Sequence, residues 1–148
     1  MKVFTCFTLL VCLAFSSTLQ SMTTSENASD IVVVVHAENS VRGLTKKQLV
    51  DIYMGRFKHF PNEEKASPID FSSGSELRKE FYSALVGKTE RSINAYWSVL
   101  LFSGRATAPK KVKSVKDVIY SLDADVSSIA YLRAKDVTPD MHVVYRFR

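Results

Sequence analysis

A short serine-rich segment in the middle of the chain has the residue types that bind small anions. It lies between a short apolar run that ends at Phe71 and a helical pattern that begins at Glu76. The first N–H groups of a helix have no internal partners and the helix dipole adds partial positive charge, so this junction favours an anion. Glycine allows close approach, and serine and arginine add donors. The candidate ligand-binding residues here are Ser72, Ser73, Gly74, Ser75 and Arg78.

The same residues also fit a purely structural role. Ser75 can cap the helix by accepting a hydrogen bond from one of its free N–H groups, and Gly74 can relieve a tight turn. Asp70, at the end of the short strand, can accept a proton from a monoprotonated phosphate, cap a turn or pair with an arginine. The residue types alone leave these interpretations open.

Other kinds of chemistry have little support in the sequence. The three histidines, His36, His59 and His142, are dispersed, with no i, i+4 pair and no acidic neighbours at ligand spacing, so we expect no metal site. Neither a Gly-x-Ser-x-Gly nucleophile elbow nor a Gly-x4-Gly-Lys phosphate loop occurs, and no nucleophile can be paired with a base. We therefore predict a protein that is not an enzyme, with no catalytic residues and no cofactor.

The N-terminus predicts export. Lys2 precedes an apolar run over Val3–Phe15 and then small and polar residues to Ser21, the order found in secretory signal peptides. The run is shorter than the about 20 residues of a membrane span, so we expect cleavage and no stable span afterwards; an uncleaved anchor is the alternative. We predict a signal peptide over residues 1–21, a disordered lead-in over residues 22–30 and one periplasmic domain over residues 31–148.

Both cysteines, Cys6 and Cys12, lie in the predicted signal peptide. The mature chain is then free of cysteine, which excludes disulfides, thiol catalysis and cysteine metal sites. Lipidation at Cys12 is disfavoured, because the valine before it is not the small residue that a lipidation motif requires. The cleavage site lies between about Ser17 and Ala28, since Leu19 departs from the small-x-small rule.

The 148-residue chain carries a formal net charge of +5 at pH 7. In an exported protein this modest excess suits small anions or an anionic envelope surface better than nucleic acid, which requires a denser basic footprint. One basic cluster is typical of a solvated face, and it can also meet lipid phosphates or an acidic partner. Its members are Lys110, Lys111, Lys113 and Lys116.

The spacing of apolar residues predicts strands that alternate with helices. Ile31–Val35 is an unbroken β-branched run, typical of a strand covered on both faces. We predict further strands at Pro68–Phe71, Ser128–Leu132 and Met141–Tyr145, helices at Thr45–Gly55, Glu76–Gly87, Thr89–Gly104 and from Ser114 onward, and a basic loop over Arg105–Lys113. The Thr89–Gly104 helix has a broad apolar stripe of Ile93, Tyr96, Trp97, Leu100 and Leu101. This order predicts an α/β three-layer sandwich, a mixed sheet with helices on both faces.

An ordered set of residues over roughly residues 31–137 adds a family resemblance. The set is Val32, Leu44, Leu49, Asp51–Gly55, Pro68, Ile69, Gly74, Ser75, Arg78, Phe81, Trp97, Gly104, Pro109 and Ile129–Tyr131. It resembles the second lobe of the phosphate-binding proteins that serve phosphate ABC transporters. The resemblance implies a single lobe of a periplasmic-binding-protein-like fold, and it implies that the Ser72–Arg78 loop grips phosphate or a similar oxyanion.

The loop departs from the sequence that this family commonly has, Gly-Ser-Gly-Thr-Arg. Gly74, Ser75 and Arg78 match it only if Glu76 and Leu77 replace Gly and Thr, with a shift before the arginine. A carboxylate at Glu76 offsets the helix dipole and repels a bound dianion. Glu76 therefore stands where a carboxylate can replace the anion.

The resemblance also implies a second rank of donors. The loops over residues 39–43 and 104–107 are expected at the same sheet edge as the serine loop, where Ser40, Arg105 and Thr107 border the anion. The alternative is that these loops are ordinary polar connections.

Family members bind their ligand between two lobes, and the resemblance implies only one of them here. Three interpretations follow: weak anion binding by the lone lobe, a homodimer or partner protein that rebuilds the cleft, or an interaction module. Our functional prediction is an exported solute-binding-like protein that binds phosphate or a similar oxyanion and is linked to phosphate ABC transport. The alternative is an envelope interaction or sensory module that kept the fold without the ligand.

Overall fold

The chain folds around one mixed five-stranded sheet. The computed structural model describes residues 30–148. Its strands are β1 (Ile31–His36), β2 (Ser67–Phe71), β3 (Lys110–Val112), β4 (Ser128–Arg133) and β5 (Met141–Arg146), and its helices are α1 (Lys46–Tyr53), α2 (Glu76–Val86), α3 (Glu90–Phe102) and α4 (Val115–Ala124). A 3-10 turn, Ala134–Asp136, joins β4 to β5. The predicted signal peptide (1–21) and all but the last residue of the predicted lead-in (22–30) lie outside the described residues.

The strand order β3-β2-β4-β1-β5 decides which loops can meet. β2 runs parallel to β3 and β4, whereas β1 runs antiparallel to β4 and β5. The carboxyl ends of β2, β3 and β4 therefore share one edge of the sheet, which we call the upper edge. The carboxyl end of β1 lies at the opposite, lower edge, where Val35 pairs with Ile129 near the start of β4.

The sheet is covered on both faces. Each residue of Ile31–Val35 in β1 is at most 1% exposed, as its β-branched run predicts. On β4, Ser128 Oγ donates to the Ser121 carbonyl in α4 at 3.3 Å, whereas Tyr131 stacks on Phe81 of α2. Residues three apart on a strand point to opposite faces, so α4 and α2 lie on opposite sides of the sheet. The predicted α/β three-layer sandwich is confirmed.

The helices begin at the capping residues that the sequence indicates. Thr45 and Ser114 form capping boxes at the starts of α1 and α4, and the side chains of Ser75 and Thr89 cap α2 and α3. Each cap satisfies N–H groups that lack partners in the first turn. None of the helices within residues 30–148 has the length and apolar character needed to cross a membrane.

The segment predicted as a basic loop, Arg105–Lys113, contains the edge strand β3. The parallel register places Lys111 beside Asp70 of β2. A three-residue strand with two lysines shows no alternating pattern, and lysine on an edge strand discourages further pairing. The basic cluster is not wholly solvated, because Lys110 Nζ donates to Ser121 Oγ at 2.9 Å and Lys111 binds Asp70.

The apolar stripe of α3 is buried only in part. Ile93 and Trp97 lie in the core, and Tyr96 Oη donates to the Met54 carbonyl at 2.7 Å. Leu101, predicted in the same stripe, is exposed, and Phe102 after it is 98% exposed. The last turn of α3 therefore presents apolar side chains to solvent.

We expect Gly55→Ala to destabilise the fold more than Gly87→Ala. Both glycines have a left-handed φ, 68° and 64°, so alanine costs about 1 kcal/mol at each position. A Cβ at Gly55 would lie 2.8 Å from Trp97 Cη2, whereas one at Gly87 meets nothing within 4 Å. Overpacking in a core adds about 1–3 kcal/mol. The free energies of unfolding in urea test this, and equal losses would contradict the close packing of Gly55 on Trp97.

Candidate anion-binding site

The serine-rich loop joins β2 to α2 at the upper edge of the sheet. Ser75 is the N-cap of α2, and its Oγ accepts a hydrogen bond from the Arg78 backbone N–H at 3.4 Å. Gly74 has a φ of 91°, a left-handed conformation that glycine adopts without strain. The predicted junction of strand, loop and helix is therefore present, and the capping role considered for Ser75 is confirmed.

Asp70, in β2, is the centre of a buried polar cluster next to this loop. Its side chain is 0% exposed and accepts four hydrogen bonds. Oδ2 accepts from Arg78 Nε at 3.0 Å, Tyr82 Oη at 3.2 Å and Lys111 Nζ at 2.5 Å, and Oδ1 accepts from Tyr131 Oη at 2.6 Å. Two cationic donors compensate the buried carboxylate. Of the three interpretations of Asp70, pairing with an arginine is the one that the structure shows.

Tyr82 and Tyr131 serve the cluster as neutral donors. Burial, reinforced by the nearby Asp70 carboxylate, raises the pKa of both tyrosines far above the usual range. Tyr82 follows Arg78 by four residues in α2, which places both on one helix face. Tyr131 is held in β4 by stacking on Phe81, with ring centroids 3.7 Å apart. The sheet and α2 together therefore orient every donor to Asp70.

Glu90, the first residue of α3, reaches the serine loop from the neighbouring helix. Its Oε1 accepts from the Gly74 backbone N–H at 2.8 Å and from Arg78 Nη1 at 2.8 Å. The Arg78 side chain is 1% exposed, whereas that of Glu90 is 18% exposed. A carboxylate oxygen thus accepts the hydrogen bonds that the loop backbone and the arginine offer, at a point that solvent reaches.

The cluster balances its own charges. Burial works against the charged form of Arg78, but Asp70 and Glu90 outweigh it, so the pKa of Arg78 lies above its usual range. The hydrogen bond from Gly74 is the main cause that lowers the pKa of Glu90, and Arg78 adds to it. Arg78 and Lys111 together face Asp70 and Glu90, which leaves two positive and two negative side chains in contact.

The three serines of the loop have different partners. Ser72 Oγ donates to the Val112 carbonyl of β3 at 3.0 Å, and Ser75 Oγ caps α2. Ser73 is exposed, and its Oγ lies 3.5 Å from Asn94 Oδ1 in α3. Ser72 and Ser75 therefore hold the loop in shape, and Ser73 presents the most accessible hydroxyl.

Ser40 and Thr107 lie at the lower edge of the sheet, away from the serine loop. Ser40 follows β1, and its Oγ donates to Glu64 Oε2 at 2.7 Å. Thr107 precedes β3 and lines a groove with Ser67 at the start of β2. The expectation that the loops over residues 39–43 and 104–107, including Arg105, share the edge of the serine loop is therefore wrong. Its cause is strand direction, because β1 is antiparallel to β4 and residues 104–107 lead into β3 rather than out of it.

Glu76 does not replace the anion. Its side chain is exposed and pairs with Lys79 at 3.0 Å on the surface of α2. Glu90 instead accepts hydrogen bonds from Gly74 N–H and Arg78 Nη1, so the expectation that Glu76 is the carboxylate at this loop is wrong.

Four members of the cluster were not recognised from the sequence: Tyr82, Glu90, Lys111 and Tyr131. Tyr82 has a usable signal, since it lies four residues after Arg78. Glu90 has only a local one, because an acidic residue in the first turn of a helix is favourable without any tertiary partner. It is separated from Gly74 by 16 positions and all of α2. Lys111 is indistinguishable from its basic neighbours until β3 pairs with β2.

The histidines stay apart in the structure. His36 Nδ1 accepts from the Glu38 N–H at 3.2 Å, His59 forms an isolated bridge with Lys65, and His142 Nε2 lies 3.2 Å from the Arg42 carbonyl. In the part of the chain that the structure describes, no three His, Cys, Asp or Glu side chains are grouped to hold a metal ion.

Solved structures of phosphate-binding proteins share this architecture. An ABC-type phosphate transport receptor from Vibrio cholerae matches with a TM-score of 0.61 and 18% identity, over 78% of this chain and 45% of that chain. A Clostridium perfringens protein assigned as a phosphate ABC transporter substrate-binding protein, with bound phosphate, matches with a TM-score of 0.61 and 18% identity. The match covers 78% of this chain and 44% of that chain. PstS from Borrelia burgdorferi matches with a TM-score of 0.59 and 17% identity, over 78% of this chain and 46% of that chain. The chain has the fold of one lobe of a periplasmic binding protein.

The chain spans less than half the length of these three structures. No protein-family model and no curated protein matches it. The resemblance to one lobe of phosphate transport binding proteins is thus confirmed in fold. The likeness at 17–18% identity concerns the fold alone, so the roles of individual residues rest on the contacts of this chain.

We expect Asp70→Asn to be strongly destabilising. The amide cannot accept four hydrogen bonds, and Arg78 is left buried without its carboxylate, which costs about 3–5 kcal/mol. Asp51→Asn is the matched control: Asp51 is buried as well, but its partners Lys47 and Arg56 are exposed and stay hydrated when the charge is removed, so the cost should be about 1 kcal/mol. Urea unfolding followed by circular dichroism measures both, and a D70N loss no larger than that of D51N would contradict the central role of Asp70.

The Glu90 contacts should make stability dependent on pH in the acidic range. A carboxylate whose pKa is lowered by folding contributes stability above its unfolded value, near 4.5, and loses it as the pH falls through the lower folded value. We expect Glu90→Gln to be about 1 kcal/mol less stable than wild type at pH 7, since solvent screens part of the interaction. The difference should shrink below pH 4.5. Thermal unfolding between pH 7 and 3 tests this, and a difference that does not change with pH would contradict an ionic role for Glu90.

Proposed function

We propose that this chain is an exported solute-binding-like protein that binds phosphate or a similar small oxyanion at the Ser72–Arg78 loop. The observation that supports it is the position of Glu90, whose carboxylate oxygen accepts from both Gly74 N–H and Arg78 Nη1. Two donors that converge on one anionic oxygen suit an oxygen of phosphate equally well. The ligand therefore binds by exchange with Glu90.

The exchange of Glu90 for the ligand leaves a positive charge that attracts the anion. When Glu90 withdraws, Arg78 and Lys111 face Asp70 alone, so the cluster gains a net positive charge beside the start of α2. Asp70 keeps Arg78 in place through Nε, which leaves Nη1 for the ligand. The Ser73 hydroxyl supplies a further donor, while Ser72 and Ser75 hold the backbone of the loop.

Glu90 also limits the affinity. A side chain tethered in the same molecule competes at an effective concentration of about millimolar or more. One lobe buries little of a phosphate, so binding by the isolated chain is expected to be weak. A second copy or a partner protein that completes the cleft, and delivery to an ABC transporter, belong to this proposal because the structures of similar fold are named for phosphate transport. The predicted signal peptide places this activity in the periplasm.

The satisfied donors favour a second candidate function. Gly74 N–H, Arg78 Nε and Nη1 and the Ser72 hydroxyl all donate to partners within the chain, and the Ser75 hydroxyl accepts from the Arg78 N–H. A domain of this fold with its anion site filled by its own carboxylate suits an envelope interaction or sensory module without ligand. Phosphate binding separates the two candidates.

Removing the competing carboxylate should strengthen phosphate binding. We expect calorimetric titration with phosphate to show an affinity about tenfold higher for Glu90→Ala than for wild type, because the donors become free. Glu76→Ala is the matched control: it removes the same charge from the first turn of α2 but leaves Glu90, the first residue of α3, in place, and should match wild type within about twofold.

Two further readouts make the result specific. The amide resonance of Gly74 should shift on titration of the Glu90→Ala variant, which locates the ligand at the loop. Light scattering with and without phosphate shows whether a second copy completes the cleft. If neither wild type nor Glu90→Ala gives heat above dilution at about 10 mM phosphate, the oxyanion proposal is overturned and the interaction module remains.

A further inference from the structure

A separate groove lies at the lower edge of the sheet. It is formed by the end of α1 and the loop after it, the start of β2, and the approach to β3, and it encloses about 500 Å³. Because β2 and β3 are parallel, their first residues meet at this edge, whereas the Ser72–Arg78 loop lies at the other. Its volume is within the range of about 300–1,000 Å³ that is usual for small-molecule sites.

The lining combines positive charge with apolar surface. Its basic members are Lys58, Lys65, Lys110 and His59, and its apolar members are Ile52, Phe57, Ala66, Pro68 and Ala108. Among the described residues, 30–148, no aspartate or glutamate lines it. Phe57 is 60% exposed and adds apolar surface to the groove. Such a surface favours a molecule with an anionic group and an apolar body.

The lysine charges are not cancelled by ion pairs. Lys110 Nζ donates to a neutral acceptor, Ser121 Oγ. Within residues 30–148, none of the three lysines of the groove forms a salt bridge. Asp125 is a carboxylate that interacts with Lys65, but only weakly. Hydrogen bonds from Ser127 are the main cause that lowers the pKa of Asp125, and the charge of Lys65 contributes less.

Two carboxylates line an adjoining groove that shares Phe57 and His59. Asp51 pairs with Lys47 and Arg56, and Glu63 is exposed. Glu38 and Glu64 lie beside Lys65 in another adjoining groove, but Glu64 accepts from Ser40 Oγ, and within residues 30–148 neither carboxylate forms a salt bridge with Lys65.

The wall of the groove is held in shape by the backbone. The Ala66 N–H donates to the Lys58 carbonyl at 2.9 Å, and the Phe60 N–H donates to the Glu64 carbonyl at 2.8 Å. His59 and Lys65 form a bridge between these bonds, and Phe60 is buried. The segment that carries two of the lysines is thus a closed, anchored turn, and the site exists before any ligand arrives.

We propose that this lower-edge groove binds a small organic phosphate or carboxylate with an aromatic or aliphatic body. Lys58 and Lys65 attract the anionic group, and Phe57, Ile52 and Pro68 cover the body. Exposed charges attract an anion only weakly in water, so neither the charge nor the apolar body binds well without the other. Inorganic phosphate, the ligand considered for the serine loop, lacks the apolar half.

Titration with phenyl phosphate, followed by two-dimensional NMR and calorimetry, tests the site. Inorganic phosphate supplies the charge without the body, and benzyl alcohol supplies the body without the charge. We expect both to bind about tenfold more weakly than phenyl phosphate. Phenyl phosphate should change the amide chemical shifts of residues in the groove rather than that of Gly74.

The lysines are tested by the double variant Lys58→Gln/Lys65→Gln. We expect it to weaken phenyl phosphate binding about fivefold, and Phe57→Ser to weaken it similarly. The matched control is Lys46→Gln/Lys116→Gln, which removes the same charge from exposed positions outside the groove and should leave the affinity unchanged. All these side chains are exposed, and thermal unfolding confirms that the variants fold.

Three results would overturn the proposal. One is no phenyl phosphate binding at about 5 mM. Another is equal weakening by the two double variants, which would mean that net charge alone acts. The third is binding to vesicles of phosphatidylcholine and phosphatidylglycerol that depends on Lys58 and Lys65 while phenyl phosphate does not bind, which would assign the groove to a membrane surface instead.

Discussion

The buried ion pair between Asp70 and Arg78 is the interaction on which the upper edge of this molecule depends. A carboxylate removed from water must be compensated, and here the compensation comes from three other elements: α2, β3 and β4. Arg78, Lys111 and Tyr131 are each held by a different element, so the pair cannot form until the sheet and α2 are in place. The Asp70 carboxylate is therefore compensated only in the folded protein, where all of these elements are packed together.

The same pair explains why Glu90 belongs to the site. An arginine that is almost completely buried needs an acceptor for its outer N–H groups as well as for Nε, because an unsatisfied buried donor is costly. Glu90 meets that need and satisfies Gly74 in addition. A phosphate oxygen would meet it by identical chemistry. The donors that Glu90 satisfies are therefore the ones that the proposed oxyanion would use.

Strand direction divides the molecule into two chemically distinct edges. The upper edge has a charge-balanced cluster beside the start of α2, whereas the lower edge has an exposed phenylalanine and a groove whose lysines form no salt bridge with any residue of 30–148. Several features of the fold could be predicted from the residues alone, because the β-branched run of β1, the caps at Thr45 and Ser114 and the loop at Ser75 each carry a local signal. The edge at which Ser40 and Thr107 lie could not be predicted. Neither residue carries information about the direction of its neighbouring strand in the sheet.

The sequence by itself determined the helices, four of the five strands, the caps and the junction of strand, loop and helix at Ser72–Arg78. These properties depend on contacts within about one or two helical turns, which composition and spacing report directly. The tertiary structure alone decided that β3 is a strand, that Lys111 reaches Asp70 and that Glu90 rather than Glu76 accepts from Gly74 N–H and Arg78 Nη1. Each of these rests on a contact between residues 12 to 41 positions apart. Such contacts depend on how helices and strands pack, and the residue types at either end are compatible with many other partners.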